Sequence, residues 1–367
     1  MSDDIPVQAL RAAAYQIPTE VPEADGTLSW DKTVMVVVEA EAGGQRGIGW
    51  TYSTPAAAGV VTGVLTEVVA GRPALDVPGT NEAMYRAVRN LGRRGIAAAA
   101  ISAADIALWD LKARLLGISV TSLLGHARPV PVYGSGGLTS YDNQQLRDQL
   151  SRWTGELKIP RVKIKIGESW GTMEDRDLQR IELAREVIGP QAELFVDANG
   201  GYTVLQAAEV AKQMAGYRVS WFEEPVSSDD LTGLAALRAE LELDVAAGEY
   251  SWTLEDSAAL IGARAVDCLQ VDVTRCGGIT GFLAAAQLAA AHELEVSGHC
   301  APNLHARAAA GVANLRHIEY FHDHERIEQL LFDGALSPAG GCLTPDNDAA
   351  GLGLTLREAD AARYRCG

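Results

Sequence analysis

Residues 159–319 limit what this chain can fold into more than any other feature does. Within them stand Lys163-Ile164-Lys165, Asp197-Ala198-Asn199, Glu223-Glu224-Pro225, Glu249, Asp272, His299 and Glu319. Most of these close a short apolar run, and successive stations fall 20 to 34 residues apart. A strand and its returning helix take roughly 30 residues or somewhat fewer. Polar groups that end successive strands describe the catalytic rim of a (β/α)8-type barrel. Residues far apart in the chain are therefore expected to converge in space.

Strands are expected over residues 130–133, 162–166, 194–197, 221–223, 243–246, 268–271, 295–297 and 318–321, with helical patterns between them. Short apolar strands of this kind are buried on both faces in parallel sheets. A doubly wound open sheet would need fewer units and a reversal of strand order, which the chain does not suggest. Upstream, residues 7–18 and 33–50 read as extended, with Gly43-Gly44 turning a hairpin. Residues 19–31 are polar and broken by Pro22 and Gly26, so a surface loop is expected there. Its Trp30 fits either a loop anchor or part of a lid over a site. Helical patterns follow over 55–69, 81–91 and 97–116, the last stopped by Gly117. The fold class expected is α/β, with an N-terminal α+β unit over residues 1–127 and the barrel over 128–335. A tail over 336–367 is expected to cross back to the N-terminal unit or close the barrel.

Composition narrows the partners. The 367 residues carry a formal net charge of -17. A phosphate-binding surface needs clustered Lys and Arg, so no nucleic acid partner is expected. A small anionic substrate stays admissible, because a buried cation and two lysines reverse the local potential. Five cysteines without CxxC spacing read as buried small side chains in a reducing compartment. The chain opens without a basic head and apolar run, so no signal peptide is expected. The apolar run 34–38 is far too short to span a bilayer. A cytoplasmic protein with no membrane partner is the expectation.

The chemistry lies at the strand ends. Asp197, Glu223 and Glu249 follow the third, fourth and fifth strands, so they should be neighbours. Three carboxylates at one mouth repel unless a cation joins them, and hard oxygen ligands select Mg2+ over zinc. The plain alternative is three carboxylates on solvated loops. Asn199 and Glu224 are expected to orient the ligands from behind, and Arg275 to act as a counter-charge. In Lys163-Ile164-Lys165 the strand period of two sends both ammonium groups to one side. They face either the barrel axis opposite the acids or, snorkelling, the solvent. Crowding near a cation depresses a lysine pKa, which would make one of them a general base. His299 follows the seventh strand and Asp272 ends the sixth, the arrangement in which a carboxylate fixes an imidazole tautomer. His317, His322 and His324 invite a metal-site reading but are taken as structural. A lysine on one side, a His/Asp pair on the other and a cation between suit removal of the α-proton of a bound carboxylate.

With these motifs in this order, the chain resembles the enolase superfamily, in its mandelate racemase-like subgroup, over nearly its whole length. The resemblance implies a modified TIM barrel, (β/α)7β, with an N-terminal α+β capping domain. It implies Mg2+ held by Asp197, Glu223 and Glu249, Lys165 as base with Lys163 beside the substrate carboxylate, and His299 with Asp272 on the opposite face. Glu319 matches an acid that hydrogen-bonds the substrate carboxylate in protonated form, and Ser135 a polar contact in the first-strand loop. A capping-domain loop reads the distal end of the substrate, which directs attention to Trp30 and Asp25. The implied reaction is dehydration of an acid sugar to a 2-keto-3-deoxy acid. Racemisation or epimerisation of a 2-hydroxy acid is the alternative, favoured if Trp30, Tyr15 and Tyr133 line an apolar mouth. A non-catalytic sugar-acid binding barrel is the third reading. A homo-oligomer, from dimer to octamer, is expected.

Overall fold

The computed structural model describes residues 5–366. Its first three strands, β1 (Ala9–Ala24), β2 (Ser29–Ala42) and β3 (Gln45–Tyr52), form an antiparallel sheet. The helix Ile96–Leu116 packs on that sheet and stops at Gly117 in the left-handed conformation. A close approach makes this packing possible. A Cβ on Gly49 would stand 2.4 Å from the Ala103 carbonyl oxygen and 2.5 Å from the Ala107 nitrogen. The bare strand therefore lets the helix backbone sit directly on it.

Residues 19–31 are not the expected loop. β1 and β2 run on as a paired ribbon to Ala24 and Ser29, with an irregularity between Pro18 and Glu23. This two-stranded ribbon buries Glu23 and Gly26 but no apolar face, so its sequence lacks the alternation that marks a strand. The turn is closed by Asp25, whose Oδ1 accepts the N–H of Thr27 and of Leu28, both at 2.7 Å.

The barrel strands are β4 (Val130–Gly136), β5 (Arg161–Lys165), β6 (Glu193–Asp197), β7 (Val219–Glu223), β8 (Asp244–Ala247), β9 (Cys268–Val271), β10 (Glu295–Gly298) and β11 (Leu315–Phe321). Each hydrogen-bonds in parallel to the next, and β11 returns to β4, closing the cylinder. Helices cover the outside. Three of them begin with capping boxes, Asp142/Gln145, Thr203/Gln206 and Thr253/Asp256, so local sequence fixes where the chain leaves the rim. The expected architecture of an α/β barrel with an N-terminal α+β unit is what forms. Cys342 and Leu343 pair antiparallel with Pro131 and Val130 of β4. Further on, the Leu352 N–H donates to Asp110, the Gln16 N–H to the Tyr364 carbonyl and the Cys366 N–H to the Ala14 carbonyl. Among the described residues no helix is long and apolar enough to cross a membrane.

Gly49→Val should lower stability by about 2 kcal/mol or more, because the new methyls meet helix backbone rather than a movable side chain. Urea denaturation of the variant and the parent measures it.

Candidate active site

Inside the barrel the period of two stacks a pair of residues on six of the eight strands. Tyr133 lies below Ser135, Phe195 below Asp197, Trp221 below Glu223, Gln270 below Asp272, Ser297 below His299 and His317 below Glu319. Tyr133, Phe195, Trp221, Ala246 and Cys268 form a buried cluster separate from the main core. The His317 ring packs 4.8 to 5.5 Å from the rings of Tyr133, Phe195 and Trp221. This floor holds one ligand oxygen in place. Trp221 Nε1–H donates to Glu223 Oε2 at 3.0 Å and Gln270 Nε2 to the same oxygen at 2.9 Å. Neither residue stands out in the sequence. A step of two back from each strand-end acid would have found both.

Above the floor the two lysines face the barrel axis. Lys163 Nζ, with 0% exposure, lies 2.5 Å from Glu223 Oε1, 2.9 Å from Glu319 Oε1 and 3.7 Å from Asp197 Oδ2. Lys165 pairs with Asp197. Neither lysine snorkels. Across the mouth, His299 Nδ1 lies 2.9 Å from Asp272 Oδ2, and its Nε2 lies 3.1 Å from Glu249 Oε2. Arg275 reaches Glu249 Oε1 at 3.0 Å and Asp272 Oδ2 at 3.4 Å, and stacks on Tyr250 and Trp252. The Ser135 hydroxyl donates to Glu319 Oε1, and the Asn199 N–H to Asp197 Oδ1 at 2.8 Å.

Two further features were not legible. His305 accepts the Val273 N–H at Nε2 (3.0 Å) and lies with Nδ1 2.8 Å from the Cys300 carbonyl. It thus ties the residue after Asp272 to the residue after His299. The chain also turns sharply past β6, β7 and β10, where Asn199, Glu224, Cys300 and Ala301 take φ of 47°, 37°, 52° and 39°. Non-glycine residues in this region are strained, and such strain gathers at functional sites.

Burial opposes every charge here, so the neighbours decide. It works to raise the Asp272 pKa, yet the His299 hydrogen bond and the Arg275 guanidinium hold it at about 2. It would lower His299, but Cys300, Glu249, Glu319 and the Asp272 bond keep the imidazole well above its usual range. It would also lower Lys165, and there the Asp197 charge outweighs it. The expected depression of a lysine is therefore absent from these side chains alone, because the acids outnumber the cations. Burial pushes Glu319 up, but the charges of Lys163 and His299 hold it well below the usual carboxylate range. A substrate carboxylate beside it would push it back toward the protonated form.

The donor set fits a hard divalent cation. Asp197, Glu223 and Glu249 each offer an oxygen, all within 4.8 Å of one another. Glu224 Oε1 and Asn199 Oδ1 are buried without a hydrogen-bond partner, and Glu249 Oε2 faces the His299 ring. Burial, with the charges of Glu249 and Asp197, raises Glu224 well above its usual range. Among the described residues, the six carboxyl groups of Asp197, Glu223, Glu224, Glu249, Asp272 and Glu319 gather around four cationic groups, Lys163, Lys165, Arg275 and His299. Such an excess of buried oxygen charge is what Mg2+ ligation relieves. The histidines 317, 322 and 324 do not converge. His317 is in the floor, His322 lies 2.7 Å from Glu23, and His324 stacks on Tyr52.

The ribbon reaches the rim. A Cβ on Gly26 would stand 2.6 Å from the Ile166 carbonyl and 2.7 Å from the Ala198 carbonyl, so the tip sits directly on the loops after β5 and β6. Glu23 accepts the Trp30 Nε1–H at 2.9 Å while its other oxygen meets His322, pinning the ribbon beside the end of β11. Trp30 is thus an anchor, and the Asp25 carboxylate is turned into its own hairpin. Tyr133, at 0% exposure, is a floor residue rather than a mouth residue, because the pleat puts it one layer below Ser135. Tyr15 pairs with Arg365 in the capping unit. The apolar mouth that these aromatics would have lined does not form from them.

Residues 145–360 match the family described as Enolase C-terminal domain-like, and residues 11–125 the Mandelate racemase / muconate lactonizing enzyme, N-terminal domain. The chain belongs to the enolase superfamily, in its mandelate racemase-like subgroup. This superfamily member is similar to a mandelate racemase/muconate lactonizing enzyme-like protein from Rubrobacter xylanophilus, at 48% identity and a TM-score of 0.94 over 98% of this chain and 99% of that one. It is 29% identical to the D-galactarolactone cycloisomerase of Agrobacterium fabrum, over 98% of each chain. It is 32% identical to the L-talarate/galactarate dehydratase of Salmonella typhimurium, over 86% of this chain and 78% of that one. A structure of that dehydratase liganded with Mg and L-lyxarohydroxamate matches with a TM-score of 0.90 at 27% identity, over 99% of this chain and 94% of that one.

The depressed Asp272 pKa predicts an acid-sensitive fold. A carboxyl lowered from 3.8 to about 2 contributes on the order of 2 kcal/mol of stability. That contribution is fully present above the unfolded pKa and is lost as pH falls toward 2. Asp272→Asn should therefore be destabilised relative to the parent at pH 6 and converge with it as pH falls, read by urea midpoints across the range.

Proposed function

We propose that this chain is a Mg2+-dependent lyase that dehydrates an acid sugar to a 2-keto-3-deoxy acid. The observation that carries the reading is the placement of Lys165 and His299 across one buried oxygen cluster, Lys165 on Asp197 and His299 on Glu249. Asp197, Glu223 and Glu249 would hold the ion, which when bound supplies charge stabilisation at the substrate carboxylate. With the Asp197 charge drawn to the ion, the Lys165 ammonium would lose a proton to solvent, and its neutral Nζ takes the α-proton. Lys163 and the Ser135–Glu319 pair orient the carboxylate from the other side. His299, its Nδ1 fixed by Asp272, gives the Nε2 proton to the departing β-hydroxyl. The C–H electron pair becomes the new double bond, the C–O bond leaves with its pair as water, and the enol ketonises.

The Salmonella relative, liganded with Mg and a hydroxamate, supports both the ion and the substrate class. All five cysteines are free, in keeping with a reducing cytoplasm. Cycloisomerisation is the second reading, favoured by the Agrobacterium relative, which matches over 98% of both chains. It would begin with the same proton abstraction but conserve the mass of the substrate.

The test is incubation with Mg2+ and a stereochemically complete set of aldonic and aldaric acids. Semicarbazide assay, mass spectrometry and NMR of α-deuterium follow the outcome. A keto product lighter by one water supports dehydration, and a product of unchanged mass supports cycloisomerisation. Exchange with inversion and no keto product, on the best substrate, moves the assignment to racemase or epimerase. Lys165→Ala should lower kcat by roughly 10²–10⁴-fold, the usual contribution of a positioned base, while any exchange from the His299 face persists. Glu223→Gln should abolish turnover and weaken Mg2+ binding in calorimetry. Full activity after exhaustive chelation would sink the proposal.

A further inference from the structure

We propose a second cation site in this chain, for a thiophilic ion of the Zn2+ class, built from His299 Nε2, Cys300 Sγ and Glu319 Oε2. The three atoms lie 3.4 Å (Nε2 to Sγ), 3.4 Å (Sγ to Oε2) and 3.6 Å (Nε2 to Oε2) apart. Tetrahedral zinc bonds of about 2.0–2.1 Å to nitrogen, 2.3 Å to sulfur and 2.0–2.2 Å to oxygen give edges of roughly 3.3–3.6 Å. The three atoms therefore already stand near the corners of one face of such a tetrahedron.

Consecutive residues of an extended chain point to opposite sides. Here Cys300 takes φ 52°, which brings its sulfur back beside the preceding imidazole. The ring is also braced as zinc-binding rings are, with Nδ1 2.9 Å from the Asp272 carboxylate. On Glu319 the other oxygen, Oε1, is the one facing Lys163 and Ser135. Oε2 accepts only the Cys300 N–H at 2.9 Å and the weak thiol contact, and retains a lone pair for an ion. Three protein ligands leave a fourth position open to water or substrate. On binding, the Cys300 thiol proton and the His299 Nε2 proton pass to solvent, and bonds from sulfur and nitrogen to the metal replace the S–H and N–H bonds.

Donor chemistry sorts the two sites. The Asp197, Glu223 and Glu249 cluster is all oxygen, whereas this one is nitrogen, sulfur and oxygen. Mg2+ prefers the first and Zn2+ or Cd2+ the second. An ion on Nε2 replaces the proton that faces Glu249 Oε2 at 3.1 Å and that was assigned above to proton transfer, so it would act as an inhibitor. Inhibition rests on that role of His299. Occupancy does not.

The experiment titrates Mg2+-saturated protein with Cd2+ or Co2+ and follows thiolate-to-metal charge-transfer absorption. Zinc-edge X-ray absorption is recorded on the Zn2+-loaded parent. One equivalent is expected to bind, with one sulfur at about 2.3 Å and a remaining shell of nitrogen and oxygen. Cys300→Ser should abolish the absorption band, and the Cys342→Ser/Cys366→Ser protein should keep it. A sulfur-free zinc shell in the parent, or a band that survives in Cys300→Ser, overturns the site, and the first of these needs no variant to fold. In turnover, the half-inhibiting Zn2+ concentration should rise at least tenfold in Cys300→Ser relative to its own uninhibited rate. A stoichiometric band without inhibition supports the site and overturns the proton-transfer role of His299.

Discussion

A buried ammonium stays charged only if anions close around it. Lys163 meets that condition with carboxylates from three other strands: Glu223, Glu319 and, slightly farther away, Asp197. Its charge therefore fastens β5 to β7 and β11 across the open mouth of the cylinder, where the backbone ladder alone gives no contact. The same arrangement leaves the acids in surplus. Lys165, Arg275 and His299 each take a share of that surplus, and burial together with the remaining acids drives Glu223 and Glu224 up in pKa. Stability of the rim and its appetite for a divalent cation come from one electrostatic imbalance.

How much of this could be read in the letters follows from the geometry of strands. A residue that ends a parallel strand inside a closed barrel must point inward or outward, and spacing alone put Asp197, Glu223, Glu249, Asp272 and His299 on one rim. The floor escaped because Trp221, Phe195 and Gln270 sit inside apolar runs, where they look like ordinary core. Tyr133 was misplaced by one layer for the same reason. The ribbon escaped for the opposite one: what residues 19–31 bury is Glu23 and Gly26, which make no apolar alternation. His305, Cys300 and the left-handed backbone past β10 depend on where the chain turns after the strand, which no periodicity encodes.

The capping unit and the barrel divide the work unevenly. The barrel contributes the charged residues, on strands whose helices are capped by their own first turns. The ribbon contributes a fixed roof edge, seated through Gly26 and pinned by Glu23 to His322 and Trp30. Its rigidity lies in backbone contact at the tip and one buried glutamate at the base.

The pairing of β4 sets the timetable of folding. This strand meets β5 early but waits for β11 and for Cys342-Leu343 to complete its hydrogen bonds, while Ala14 and Gln16 wait for residues 364 and 366. Translation at about 5–20 residues per second separates β4 from β11 by roughly 10–40 s. For that interval the emerging sheet has an open edge, able to recruit another chain in place of its own last strand. The yield of correctly closed molecules in a cell is then governed by ribosome pace and chaperone cover. The depth of the final energy well enters only afterwards.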